Sequence, residues 1–386
     1  MDAADVIVGL VVAVALSFDF TNGFHDTANA MATTIATGAL KPRIAVTIAA
    51  ILNFVGAFIS LKVAATVAGG IVDAGAITPT VVFGGLVGAI CWNLATWWYG
   101  LPSSSSHALI GGVVGATIAA AGSSAVKFDG LISKVLVPAV ASPVVAGLLA
   151  AIGVFLVYRM IRRYSPDRSE REFRWGQVGS SSMVALAHGT NDAQKTMGVI
   201  CLALIANGSL SGGDNFHVPD WVVVSCATAI ALGTYVGGWR IIKTLGTKVV
   251  EVRPPQGFGS ETVAATVILA SSHVGYPLST TQVVSGAVAG SGVGRPGAIV
   301  NWFVARNIVI GWLLTLPAAA AIGAVSYAVV DVLGGSAFGV IVVSVALVIG
   351  CYMLWRANRA KPVKPEETVS QQPTFGAAPA PEAIAA

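Results

Sequence analysis

The chain has 386 residues, of which 55% are hydrophobic and only 10% are charged, and its mean hydropathy is +0.78. A soluble globular domain carries about 25% charged residues, so this composition excludes a chain that faces water on all sides. The formal net charge of +4 is small, and the basic residues lie in short clusters between apolar segments, which argues against nucleic-acid binding. The four cysteines lack metal-ligand spacing and are interpreted as packing residues.

Long apolar segments follow one another along the chain and predict an all-α polytopic membrane protein. Residues 135–158 and 338–355 contain no charged side chain, and about 20 such residues cross a bilayer as a helix. In the first half the apolar blocks lie at roughly 6–22, 27–40, 44–69, 81–99, 107–122 and 135–158. In the second half they lie at roughly 178–206, 221–238, 260–274, 281–293, 303–330 and 335–355.

The two halves resemble each other and define the predicted domains. HDTANAMA at 25–32 resembles TNDAQKTM at 190–197, and LPSSSSH at 101–107 resembles YPLSTTQ at 276–282. Self-similarity of this kind is typical of transporters built from two repeats. We predict a first repeat at 1–158, a cytoplasmic arginine-rich linker at 159–177, a second repeat at 178–330, a final transmembrane helix at 331–360 and a disordered tail at 361–386.

Loop charges predict that the repeats are inverted in the membrane. The loop after the first acidic motif carries Lys41 and Arg43, whereas its counterpart at roughly 207–220 has no Lys or Arg. For the next pair of loops the basic residues lie in the second repeat, at 239–259. If basic loops face the cytoplasm, equivalent loops lie on opposite sides, although Lys127 and Lys134 count against this topology.

A block of four serines, Ser103, Ser104, Ser105 and Ser106, lies between two apolar blocks, of which the second is short for a full crossing. This pattern predicts a re-entrant helical hairpin with its tip near the middle of the membrane. Hydroxyls, free backbone N–H groups and the positive end of a helix dipole suit a tetrahedral oxyanion. The second repeat supplies Ser279, Thr280 and Thr281 at the matching place. The alternative is that these hydroxyls only cap helices or bond neighbouring turns.

Two acidic motifs lie within apolar stretches and are candidates for cation coupling. Asp26 and Asn29 are three residues apart, and Asn191 and Asp192 are adjacent. A carboxylate in the bilayer costs several kcal/mol and usually marks an ion path or proton relay. Oxygens of Asp26, Asn29 and Asp192, with carbonyls freed by a helix break at Gly23 or Gly189, would suit Na⁺, and the same carboxylates could carry a proton. Alternatively, Asp26 caps a short helix at an interface.

Other polar residues leave their roles open at this point. Lys195 pairs with Asp192 or meets the substrate, and His107 relays a proton or satisfies a buried hydrogen bond. Glu261 opens the helix before the second tip, either as an ordinary helix-start charge or as a second coupling carboxylate. Asp19 is another pathway acid or a polar contact between helices.

Four motifs in order, GFHDTANA, WNLATWWYGLPSSSSHALIGG, HGTNDAQKTMG and PLSTTQVVSG, resemble those of the inorganic phosphate transporter (PiT) family. The resemblance implies a phosphate symporter with inverted repeats that forms a homodimer. It implies cation coupling at the Asn–Asp motifs and phosphate contact at the Ser/Thr tips, and Glu261 matches a family glutamate. Gln282 departs from the histidine that the family often has there, opposite His107, so the two tips need not be chemically equal.

We therefore predict a plasma-membrane secondary transporter that imports inorganic phosphate with Na⁺ or H⁺ by alternating access, with no cofactor besides the co-transported ion. Phosphate could move free or as a divalent-metal complex. The alternatives are a sulfate permease of the same fold and a passive anion channel. An intramembrane hydrolase using Ser103 or Ser104 with His107 is disfavoured, because the second tip has no histidine.

Overall fold

The structure, a computed structural model, describes residues 3–73, 75, 77–213 and 216–370. These residues form α-helices with short connections, and two isolated antiparallel bridges, Val72–Val126 and Val250–Val300, are the β pairing among them. The helices of the first half are α1 (Ala3–Ala36), α2 (Pro42–Gly56), α3 (Lys62–Gly70), α4 (Pro79–Tyr99), α5 (Ser105–Ala121), α6 (Phe128–Leu131) and α7 (Val137–Ile161). Those that follow are α8 (Pro166–Ala206), α9 (Asp220–Val236), α10 (Trp239–Thr247), α11 (Pro254–Val274), α12 (Thr280–Gly294), α13 (Trp302–Val332) and α14 (Ala337–Ala360).

The two halves have the same order of helices and interlock. Helices α1–α5 correspond in order and approximate length to α8–α12, and α7 corresponds to α13. Helix α7 packs mainly on α12 of the other half, and α13 packs on α5. In the same way α1 packs on α9, and α2 on α8. Each half therefore completes the packing of the other, as repeats of one ancestral unit would. Their inversion in the membrane stays a prediction.

Several helices are long and apolar enough to cross a bilayer, so the chain is a multi-pass membrane protein, as predicted. Among the described residues these spans are α1, α4, α6–α7, α13 and α14, and the apolar pair α9 and α10 is bent by 67° at the break between the two helices. In the spans that contain α7, α13 and α14, only a minor share of the residues is buried inside the protein. Their exposed faces suit lipid, since lipid solvates apolar side chains.

The predicted helix breaks at Gly23 and Gly189 are wrong, because α1 and α8 run continuously through them. The apolar blocks 6–22 and 27–40 are therefore one helix. A Cβ on Gly23 would meet the carbonyl oxygen of Ile230, and one on Gly189 would meet that of Asn53. The glycines serve close helix crossings, α1 against α9 and α8 against α2, and no main-chain carbonyl is freed for a cation at either place.

Much of the predicted linker is helical, and part of the segment predicted to be a disordered tail is ordered. Only residues 162–165 separate α7 from α8, so most of the 159–177 segment is helical. In the predicted disordered tail, residues 365–368 form a 3₁₀ turn, and the Ser370 N–H donates to the carbonyl of Ala36 (3.0 Å) at the end of α1. Lys243 pairs with Glu367 at 2.7 Å. These contacts fix residues 361–370, while the rest of that segment, 371–386, lies outside the described residues.

Glycines also bring the first hairpin against α13. A Cβ on Gly112 of α5 would meet the carbonyl oxygen of Gly85 in α4, and a Cβ on Gly323 of α13 would meet the carbonyl of Gly112. Three backbones thus approach one another at a single level. Small residues permit such contact, which is a main source of helix association in membranes.

Replacing Gly112 with alanine should therefore destabilise the fold. Its methyl group would overlap backbone that cannot rotate away, and we expect a loss of about 1–3 kcal/mol. The matched control is Gly153→Ala in α7, where a Cβ meets nothing within 4 Å. That change should be neutral or stabilising by up to about 1 kcal/mol, since alanine is the better helix former. Thermal unfolding in one detergent compares the two, and equal melting temperatures would contradict the close packing.

Candidate functional site

Each half contributes a buried hairpin tip at which a helix begins with free N–H groups. Helix α4 ends at Gly100, whose φ of 64° lets the chain turn, and α5 begins after Ser104, whose hydroxyl accepts the His107 N–H at 3.1 Å. In the second half, α11 ends at Gly275 with φ 83°, and Ser279 caps α12 in the same manner. All seven predicted phosphate-contacting residues are buried at these tips: Ser103, Ser104, Ser105, Ser106, Ser279, Thr280 and Thr281.

The two acidic motifs meet between the tips. The hydroxyl of Ser105 donates to Oδ1 of Asp26 (3.1 Å), and the hydroxyl of Thr280 donates to Oδ2 of Asp192 (3.1 Å). Each half thus joins its own tip to its own carboxylate. His188 lies between the carboxylates, with Nε2 at 3.1 Å from Asp192 and 3.9 Å from Asp26. The alternative in which Asp26 caps a short helix at an interface does not hold, because Asp26 is buried in the interior of α1.

The residue three positions after each acid reaches across to the tip of the opposite half. The amide Nδ2 of Asn29 donates to the Thr281 hydroxyl at 2.9 Å. The Nζ of Lys195 donates to the Ser106 hydroxyl (2.5 Å), and it also lies 2.5 Å from Asp192 Oδ1. These contacts bring the halves together at one point. They also show that Lys195 both pairs with Asp192 and faces the substrate-candidate hydroxyls.

Acceptor oxygens remain unsatisfied beside the carboxylates. Oδ1 of Asn29 and Oδ1 of Asn191 are buried and have no hydrogen-bond partner among the described residues. Asn191 uses its nitrogen to donate to the Ser272 hydroxyl at 2.8 Å. Buried acceptors without donors cost free energy, and hard cations bind such carboxylate and amide oxygens. The residues therefore fit a cation, and ligand atoms of Asp26, His188 and Asp192 lie within 4.8 Å of one another.

Glu261 forms a separate site, away from the carboxylate pair. Its carboxylate accepts hydrogen bonds from Thr33 (2.5 Å), Thr34 (2.8 Å), Ser180 (2.5 Å) and Gln177 (3.1 Å). It is buried, so it is not an ordinary charge at an exposed helix start. These partners were not predicted from the sequence, because Gln177 and Ser180 lie at and just after the end of the arginine-rich segment that was interpreted as a cytoplasmic linker.

Within the described residues, the side chains of His107 and Gln282 make no hydrogen bond to the carboxylate pair Asp26 and Asp192. Both line a groove of about 930 Å³ between α7, α12 and α13. The imidazoles at the carboxylates are those of His188 and His25, whose Nδ1 lies 2.6 Å from Asp26. His188 and Asp192 are four residues apart and therefore lie on one helical face, so the contact between them could have been predicted from the sequence.

Comparison with known proteins agrees with this architecture. The family described as "Phosphate transporter family" matches residues 22–169 and 161–323. The chain belongs to this family. It is 56% identical over 354 residues to a "Probable low-affinity inorganic phosphate transporter" of Mycobacterium bovis, covering 92% of this chain and 84% of the relative. A protein of the same description from Bacillus subtilis is 43% identical, with 86% and 100% covered.

A solved structure has the same fold. It is described as "The sodium-dependent phosphate transporter", with a TM-score of 0.75 and 26% identity, covering 84% of this chain and 99% of that one. Membership in the phosphate transporter family confirms the predicted resemblance and excludes the hydrolase alternative, since these relatives are transporters and not enzymes. In this phosphate transporter the two acidic motifs and the two hairpin tips thus lie in one buried cluster.

Removing one partner of the Asp192–Lys195 pair should cost more than removing both. The pair is completely buried, and a single buried charge left alone typically costs about 3–5 kcal/mol. We expect Lys195→Met and Asp192→Asn each to lower the free energy of unfolding strongly, and we expect the double variant to lose much less than the sum of these two losses. Denaturant unfolding of all four proteins gives the coupling energy. Strict additivity would show that Lys195 does not neutralise Asp192.

Proposed function

We propose that this protein imports inorganic phosphate across the plasma membrane by symport with Na⁺, with phosphate held between the two hairpin tips. The observation that carries the proposal is the pairing of tip hydroxyls with the two carboxylates. Ser105 donates to Asp26, and Thr280 donates to Asp192. These are the groups that the sequence assigns to phosphate and to the cation, respectively, and they are in direct contact.

That contact supplies a physical coupling. A hydroxyl has one proton to donate, and while Ser105 gives it to Asp26 it cannot give it to phosphate. A cation on Asp26 takes over the carboxylate oxygens and releases the hydroxyl to turn toward the anion. Phosphate binding in turn removes the competing donor from the carboxylate, which favours the cation. Each ligand therefore strengthens the binding of the other by the same factor, as linkage requires.

Charge explains why a cation is needed. Two unit charges of the same sign about 4 Å apart repel by roughly 4 kcal/mol at an effective dielectric constant near 20. Phosphate between Asp26 and Asp192 would meet two such charges. Lys195 offsets one of them permanently, since its Nζ lies 2.5 Å from Asp192. The first half has Asn29 at the corresponding position, so Asp26 is the carboxylate that takes the mobile ion.

Na⁺ is the ion that the surroundings of Asp26 favour. The unpartnered Oδ1 of Asn29, three residues from Asp26 on α1, offers an oxygen ligand that a proton does not need. The solved relative with 26% identity is described as sodium-dependent, which supports the same choice. The interlocked halves, if inverted as predicted, would expose the tips alternately to the two sides. The homodimer that the family resemblance implies is part of this proposal.

Labelled-phosphate uptake into proteoliposomes tests the proposal. An inward Na⁺ gradient and an inward H⁺ gradient are imposed separately, and sulfate is added as competitor. We expect uptake driven by Na⁺ and resistant to sulfate. Uptake driven only by the H⁺ gradient would show that the coupling ion is H⁺ and not Na⁺. Transport of sulfate instead of phosphate, or current that does not depend on either gradient, would contradict the symport of phosphate.

The variant Asp26→Asn should lose gradient-driven uptake by roughly tenfold or more, which is the usual size of a coupling between two ligands. The asparagine keeps the shape of the side chain but cannot hold the cation charge. Asp129→Asn, at an exposed position, is the matched control and should transport as the wild type does. Full driven uptake in Asp26→Asn, with normal thermal unfolding, would remove Asp26 from the coupling site.

If Asp26 and phosphate compete for the Ser105 hydroxyl, Ser105→Ala should alter how phosphate binding depends on Na⁺. Without the hydroxyl, phosphate loses a donor and the cation loses its effect on that donor. We expect the phosphate affinity to fall and to depend less on Na⁺ concentration, measured as KM at several Na⁺ concentrations. Ser123→Ala, on the exposed turn after α5, serves as control. An unchanged Na⁺ dependence of KM in Ser105→Ala would contradict this competition for the Ser105 hydroxyl.

A further inference from the structure

Helix α1 carries a second acidic side chain that the coupling just described does not use. Asp19 is completely buried, and its Oδ1 accepts a hydrogen bond of 2.8 Å from the Thr196 hydroxyl of α8. Its other oxygen, Oδ2, has no hydrogen-bond partner among the described residues. Within the same residues the ion pairs of the buried carboxylates involve Asp26 and Asp192, not Asp19.

The pattern around Asp19 repeats that around Asp26. Asp19 and Asn22 are three residues apart, as are Asp26 and Asn29, and the second pair follows the first by seven residues. Seven residues make two helical turns, so both pairs lie on the same face of α1, about 10 Å apart along its axis. By the spacing of the two acidic motifs, the second half has Ala185 at the place of Asp19. The additional pair therefore belongs to the first half alone.

Two buried amides, one on α1 and one on α4, have polar atoms without a hydrogen-bond partner among the described residues. Asn22 is close enough to interact with the Asp19 carboxylate, and its Oδ1 has no partner within the described chain. Asn93 of α4 is completely buried, and among these residues neither Oδ1 nor Nδ2 of its amide has a partner. An amide buried without hydrogen bonds costs about 1–3 kcal/mol by mutational data, so several unpaired oxygens together point to a missing positive ligand.

The register of α1 and α4 brings these amides to one level. The N-terminal halves of the two helices share one hydrophobic core, and further along His25 Nε2 contacts the Thr96 hydroxyl at 3.1 Å. The helices therefore run side by side in the same direction. Asn93 lies one turn before Thr96, and Asn22 lies one turn before His25. Helical spacing thus directs Asn93 toward Asn22.

We propose that Asp19, Asn22, Asn93 and Thr196 form a second cation site on α1, two turns toward the N-terminus from Asp26. Carboxylate, amide and hydroxyl oxygens are the ligands that hard cations take. The proposal rests on the proposed function in one respect, which is the identity of the ion as Na⁺. In the described contacts, none of the four residues hydrogen-bonds a hairpin tip, so Na⁺ binds here without phosphate. The site adds one ion to those at the transport centre.

Binding of radioactive ²²Na⁺ to the purified full chain, in phosphate-free buffer, tests the site. The number of ions bound per chain at saturation is compared for wild type, Asp19→Asn and Asp26→Asn. We expect Asp19→Asn to bind one ion fewer than wild type while keeping the ion that Asp26→Asn loses. Ser142→Ala is the control, because Ser142 is also buried with an unpartnered oxygen but lies on α7, away from these helices.

A second variant separates ion binding from fold stability. If Asn93 only fills space, Asn93→Leu should leave Na⁺ affinity unchanged and should stabilise the protein, since it removes an unpaired buried amide. If Asn93 is a ligand, Na⁺ affinity should fall by roughly tenfold or more. The Na⁺-induced rise in melting temperature should shrink as well. This readout does not require that Asp19→Asn fold well.

Equal numbers of bound ions in wild type and Asp19→Asn would overturn the site and assign Asp19 a neutral, protonated role. No ²²Na⁺ binding by the wild type would overturn it too. Neither result contradicts phosphate transport, which the uptake experiment tests separately. Conversely, loss of one ion in Asp19→Asn with no phosphate uptake under any gradient would keep this site and reject the proposed function.

Discussion

The cost of holding carboxylates inside a membrane protein is the constraint on which the rest of the structure depends. Asp26, Asp192, Glu261 and Asp19 are all buried, and each must be balanced by protons, hydrogen bonds or cations. The structure balances them in different ways. Glu261 has four neutral donors, Asp192 has a lysine, and the partners of Asp26 within the described chain are imidazoles and a hydroxyl. Under the proposed function, these differences divide the carboxylates into those whose charge is permanently balanced and those that exchange a cation.

The departure from symmetry follows from the same constraint. Two related halves would ordinarily give two equal cation sites facing two equal tips. Here the positions three residues after the acids hold Asn29 and Lys195, and each side chain reaches the opposite tip. A permanent ammonium in one half lowers the number of mobile charges that must accompany the anion at the tips. Under the proposed function, the chain thereby keeps two similar tips while it binds its ions asymmetrically.

Much of the cluster could be predicted from the sequence, because duplicated motifs identify residues that lie together even when their partners are unknown. The hydroxyl tips and the Asp26 and Asp192 motifs were found in this way. Local patterns failed where contacts are long-range. Gly23 reads as a helix break in an apolar stretch, yet it serves a close crossing with α9, and that crossing depends on a helix some 200 residues away. The partners of Glu261 were missed for the same reason.

The exchange of packing partners between the halves has a consequence for biosynthesis. Helix α5, which carries the first tip, finds its main cover in α13, one of the last helices to leave the ribosome. Until then the α5 glycines that face α13, Gly111 and Gly115, have no backbone of that helix to pack against, and one side of the tip stays uncovered. Large chains generally fold domain by domain during synthesis, but this one cannot close its first half early. Its nascent intermediates therefore stay in the bilayer with polar residues of the first tip uncovered until α13 has been made.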